Sequence, residues 1–276
     1  MGIFEFEFMR NAVAAGILTS VICGIMGTLV VVNRIVFLSG GIAHAAYGGI
    51  GLAFYFRLPV MLGTMVFSLL ASLLMAAVSL RLRHRADTII GVIWALGMAF
   101  GIILVDLTPG YNVDLMSYLF GSILTVPNMD LYIMMGAGCV ILVVVVWFYQ
   151  DLLAISYDEE FARIRGLPVT RLYFTLIAML GLTIVMVIQV VGLIMVIALL
   201  TIPPFIVEKY ANSMAKMMIG SSLLGTVFCL TGLWLSYRFD LTSGATIIMV
   251  AGFAFLLTLA WDRIRPVAKT RAPQDG

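Results

Sequence analysis

Long apolar runs, set apart by short polar clusters, fill this chain from Asn11 to Trp261. A bilayer's hydrocarbon core takes about 20 apolar residues per helix. Nine runs approach that length: 11–32, 41–56, 59–80, 88–105, 131–149, 172–188, 191–207, 217–237 and 243–261. The second is short and rich in glycine, so it either crosses or re-enters, and the count is nine or eight. A weaker apolar piece, 111–126, lies between the fourth and the fifth. The pattern predicts an all-α polytopic membrane protein, with residues 1–276 forming a single transmembrane domain.

One stretch departs from the pattern. Residues 150–170, QDLLAISYDEEFARIRGLPVT, are too polar to span, yet Ala154, Phe161, Ile164 and Leu167 recur among Asp158, Glu159, Glu160, Arg163 and Arg165. That spacing predicts a short amphipathic helix, closed by Gly166 and Pro168. It suits either rest on the membrane surface or the docking of another protein. The acid pair, then Ala162 and Gly166 four residues on, favours docking.

Composition narrows the class. Hydrophobic residues make up 63% and charged residues 11% of the chain, against roughly 25% charged in a soluble domain. With a net charge of only +2, a cytosolic enzyme, a disordered chain and a nucleic-acid binder are excluded. Cys23, Cys139 and Cys229 stand far apart in apolar runs, which indicates neither a disulfide framework nor a thiolate metal centre. The 18 methionines are scattered and read as packing filler. The first run is too long for a cleavable signal and lacks a processing site.

Basic residues orient the helices. With a cytoplasmic C-terminus and nine crossings, only Arg10, Arg57 and Arg238 of the 16 basic residues fall outside. The external face then carries Glu5, Glu7, Asp106, Asp114, Asp130 and Asp240. Such a negative rim either concentrates cations or is a solvated face without a function.

Three places interrupt the apolar runs. In SGGIAHAAYGGIGLAF, Gly41, Ala45 and Gly49 recur at spacing four, leaving one helix face bare for close approach. His44 lies beside that face, with Tyr47 three residues on. An ionisable side chain inside a span is functional by default, and imidazole is a transition-metal ligand. The bland alternative is a histidine hydrogen-bonded to a backbone carbonyl. In ALLTIPPFIVEKY, Pro203 and Pro204 predict a helix break near residues 199–201, of the kind that lines a cavity or gate. Asp240 precedes a helix that starts at Thr242 or Ser243, as its N-cap or as an anion at a pathway mouth.

The segments FLSGGIAHAAYGGI, NVDLMSYLFGSIL, VVGLIMVIALLTIPPF and DLTSGATIIMVAGF stand in the order found in permeases of zinc/manganese/iron ABC importers. Nearly the whole chain resembles that family. The resemblance implies a type II importer permease in the plasma (inner) membrane, working by alternating access. It implies two permease copies, two cytoplasmic ATPase subunits and an extracytoplasmic metal-binding protein. It also implies that His44 coordinates the ion in transit and that Asp240 and Asp114 match family acids; further oxygens are expected from Tyr47, Asp106 or water. The stretch around Glu159, Glu160, Ala162 and Gly166 is similar to the family's coupling helix, within a segment of about residues 151–169. The chain contains no G-x-x-x-x-G-K-[ST] phosphate loop, which assigns ATP hydrolysis to a separate subunit.

The chain departs from the family at Gly40, where many members carry an acid one turn before the histidine, and at Ser122. The expected cargo is a divalent metal ion, with no permanently bound cofactor, and the departure leaves its identity open. Two other classes compete. A self-sufficient secondary transporter or channel for cations calls for more intramembrane charge and an internal repeat. A membrane enzyme calls for a nucleophile and base, or clustered metal ligands, in one cavity. The second of the two histidines, His84, sits in the basic cluster RLRHRAD.

Overall fold

The computed structural model of the chain describes residues 7–109, 121, 123 and 126–264. Most of the NVDLMSYLFGSIL segment, including Asp114 and Ser122, lies outside the described residues, as does most of the weak apolar piece 111–126. The described residues form α1 (Glu7–Val32), α2 (Val36–Tyr55), α3 (Val60–Arg81), α4 (Ala86–Asp106) and α5 (Asn128–Trp147). Two short helices follow, α6 (Tyr149–Tyr157) and α7 (Glu159–Ile164). The rest are α8 (Val169–Val191), α9 (Leu193–Glu208), α10 (Met214–Phe239) and α11 (Ser243–Ile264).

Eight of these helices are long and apolar enough to cross a membrane. The glycine-rich second run is one of them, because its helix starts five residues earlier than the apolar run and spans 20 residues. The short one is α9, whose 16 residues rise only about 24 Å. Thus the ambiguous element is the seventh apolar run and not the second.

Two bundles share the interior. In one, α2 is enclosed by α3, α4, α8 and α9; in the other, α1 packs along α10 and α9, with α11 closing the far side. In both, glycine sets the spacing. A β-carbon at Gly51 would strike the backbone of Gly101 on α4, and one at Gly101 would strike the Tyr47 carbonyl. Gly97 meets Ala45 in the same way, at 2.9 Å from its Cα. The bare face expected on α2 is therefore real, but its counterpart on α4, Gly97 and Gly101 at spacing four, is what lets the two backbones touch.

The expected break at the double proline is not where the chain breaks. Helix α9 runs through both Pro203 and Pro204. Their missing N–H groups release the carbonyls of Leu199 and Leu200 from the helix ladder. Packing holds the helix together regardless: both prolines are buried, and Gly27 of α1 brings its backbone against the Leu200 carbonyl. The chain breaks instead at Gly192, between α8 and α9, with φ 81° and ψ 163°. Only glycine adopts that conformation without strain.

Segments that charge bookkeeping places on one side do gather at one end of the bundle. There a cavity of about 790 Å³ is bordered by Arg34, Asp87, Tyr157, Glu159, Tyr173 and Glu208. At the opposite end, Asn128 donates to Glu7 at 2.9 Å, and Asn11 donates to Asn128 at 2.7 Å. These bonds tie the start of α5 to the start of α1.

Candidate functional site

His44 sits in the middle of α2, half-buried, and two contacts fix its ring. Its Nδ1 lies 2.9 Å from the Gly40 carbonyl one turn back. A carbonyl only accepts, so Nδ1 carries the hydrogen and Nε2 presents its lone pair. The second contact is Trp94 of α4, whose ring lies over the imidazole with centroids 4.0 Å apart and planes 30° apart. Trp94 is itself held, because its Nε1 donates to Met98 Sδ at 3.2 Å and Phe37 flanks it at 6.2 Å. The bland reading of His44, a bond to a backbone carbonyl, is therefore present. It uses one nitrogen and leaves the other available as a neutral ligand.

The other proposed ligands lie on several elements. Tyr47 shares α2 and is buried. Asp106 is exposed at the last residue of α4. Asp240 is also exposed, and it does not cap α11: it ends α10 in the left-handed conformation, φ 55° and ψ 45°. Aspartate tolerates that conformation better than most residues, which accounts for an acid there without a ligand role. Asp114 lies outside the described residues. Among the described residues, no three His, Cys, Asp or Glu side chains come together as a metal cage.

The polar segment after α5 is two helices rather than one. Asp158 breaks it, with φ −150°, and its carboxylate accepts the Phe161 N–H at 2.8 Å to start α7. Asp158 is the N-cap of α7, with two more acids in its first turn. Glu159 pairs with Arg163 one turn on, and Glu160 is exposed. Ala162 is fully buried in the protein's own core, so it seats α7 on the bundle and does not itself face outward. The outward apolar groups are Phe161 and Ile164, 52% and 80% exposed. Gly166 turns the chain with φ 80°, and a β-carbon there would meet nothing within 4 Å.

A model of the ABC 3 transport family matches residues 5–262. An uncharacterized membrane protein of Synechocystis sp. is 54% identical over 94% of this chain and 92% of its own length. The manganese import system permease protein ScaB of Streptococcus gordonii is 31% identical, over 93% of this chain and 92% of its own. Among solved structures, PsaBC from Streptococcus pneumoniae in complex with Fab superposes with a TM-score of 0.85 at 31% identity, covering 96% of this chain and 97% of that one.

Proposed function

This chain belongs to the ABC 3 transport family, and from that premise we propose that it is the membrane-spanning subunit of an ATP-driven importer for a divalent metal ion. Relatives matched over 93% of its length are named a manganese import system permease protein and a probable metal transport system membrane protein, and that is the observation that carries the reading. His44 is the residue through which the ion passes, offering Nε2. Further oxygens come from Tyr47, Asp106, Asp114 or Asp240 as the transporter changes conformation. Two copies of the chain enclose the pathway and alternate its access. An extracytoplasmic metal-binding protein delivers the ion on the face that carries Glu7, Asp106 and Asp240. A separate ATPase subunit docks on the opposite face of the plasma (inner) membrane, where the C-terminus also lies.

In that arrangement α6 and α7 transmit the ATPase's motion. Exposed Phe161, Ile164 and Glu160 make the contact, Ala162 anchors α7, and Gly166 lets it turn back into α8. Uptake of a radioactive divalent ion by cells carrying the intact importer tests both ends. His44→Ala is expected to abolish uptake while leaving the protein at normal level in the membrane. Replacing Glu159 and Glu160 with Lys is expected to abolish uptake and the co-purification of the ATPase. Normal uptake in both variants sinks the reading and favours a self-sufficient cation transporter.

A further inference from the structure

Helices α3 and α4 both lie against α2, and the connection between them contains RLRHR, residues 81–85. Arg83–Arg85 make a single 3₁₀ turn, so the connection is a tight corner. Arg81, His84 and Arg85 are exposed on it. Among the described residues, their side chains make no ion pair and no hydrogen bond. Asp87, the nearest acid in sequence, does not pair with them and borders the cavity instead. Other cations at this end are held. Arg163 pairs with Glu159, Arg165 lies 5.7 Å from the Phe161 ring centroid, and Lys209 lies 5.1 Å from that of Phe205.

Apolar surface adjoins the free cations. Leu82, within the corner, is 50% exposed. Along α3 the exposed side chains Leu62, Val66, Leu70 and Leu74 recur every four residues. They form a stripe about 18 Å long, more than one leaflet's share of the hydrocarbon core, about 15 Å. A cationic head above an apolar stripe matches one chemistry, a phosphate diester that carries acyl chains. Arginine's planar fork suits phosphate oxygens, and clustered basic residues at a helix end attract anionic lipid. A docked soluble protein could meet the head but not the stripe, which faces the bilayer.

We propose that the corner between α3 and α4 is a binding site for an anionic phospholipid, its phosphate held by Arg81 and Arg85 and an acyl chain lying along the exposed stripe of α3. The headgroup relieves the mutual repulsion of the unpaired cations. It also ties the first turn of α4, the helix that carries Trp94, to the composition of the surrounding membrane. The site stands apart from His44 and does not rest on the reading of that residue as an ion ligand.

The test is native mass spectrometry of the full chain in detergent, supplied with equal amounts of dioleoylphosphatidylglycerol and dioleoylphosphatidylcholine. The two lipids share acyl chains and differ in headgroup charge. The unsubstituted chain is expected to retain the anionic lipid over the zwitterionic one by at least about fivefold. Equal retention overturns the site. Arg81→Gln with Arg85→Gln is expected to lower that preference by at least about fivefold, whereas Arg81→Lys with Arg85→Lys, which keeps the charge, is expected to preserve most of it. Loss in the lysine variant as complete as in the glutamine variant overturns the electrostatic basis. Arg163→Gln with Arg165→Gln removes the same charge from the same end and is expected to leave the preference in place. An equal fall there makes net charge responsible and overturns the corner. Release of the lipid by an equal concentration of free glycerol phosphate assigns the corner to a soluble anion instead. If the glutamine variant keeps its phosphatidylglycerol but no longer co-purifies with the ATPase, the corner is a protein interface and the lipid site falls.

Discussion

At the scale of single residues, the glycines of α2 divide by what stands opposite them. Gly51 faces backbone, which cannot step aside, so Gly51→Ala is expected to destabilise the protein by about 1–3 kcal/mol. Gly40→Ala faces open space and is expected to leave thermal unfolding of the detergent-solubilised chain within about 0.5 kcal/mol. Equal losses in the two variants contradict the division. The sequence alone made a glycine face legible, because spacing of three and four is a property of one helix. It did not reveal Trp94 over His44 or Gly101 against Gly51. Those contacts depend on how α4 lies against α2, which no local pattern encodes.

At the scale of elements, the prolines drew attention that belonged to a glycine. Proline disrupts a helix because it lacks an N–H and crowds the preceding turn, but buried neighbours hold α9 through that penalty. Gly192 bears the change of direction instead, at a φ and ψ that any side chain would strain. Gly192→Ala is therefore expected to cost about 1–3 kcal/mol, measured as a fall in the thermal midpoint. Replacing Pro204 with Ala restores an N–H to the ladder and is expected to be neutral or mildly stabilising. A larger loss from Pro204→Ala than from Gly192→Ala would place the hinge back at the prolines. Element boundaries escaped the sequence wherever apolar character and helicity part company. Helix α2 starts in VFL before its glycines, and α6 and α7 divide at an aspartate that reads from composition as part of one amphipathic stretch.

At the scale of the whole molecule, segments that the basic-residue count places together do lie at one end of the bundle. Arg34, Asp87, Glu159 and Glu208 border one cavity, although they lie on four segments far apart in sequence. With the exposed Cys139 replaced by serine, single cysteines at Glu7 and His84 are expected to react with a membrane-impermeant thiol reagent from opposite sides. Position 7 is expected to react from outside and position 84 from inside. Labelling of both from one side contradicts the paired ends, and labelling of 84 from outside reverses the orientation.

The burial of α2 has a further consequence, for how the protein is made. Of the eight long helices it has the lowest mean hydropathy over an 18-residue stretch, 1.3, and that stretch is the most enclosed, 78% buried. A helix that trades leucine for glycine and histidine gives up much of the free energy that draws a segment out of the translocon into lipid. What it gives up is returned only when α3 and α4 arrive to cover it, and these are synthesised after it. Membrane insertion of α2 is thus a tertiary event, begun by α3 and α4 and completed by α8 and α9. The glycines that let neighbouring helices approach α2 so closely also make it dependent on those later neighbours for a place in the bilayer.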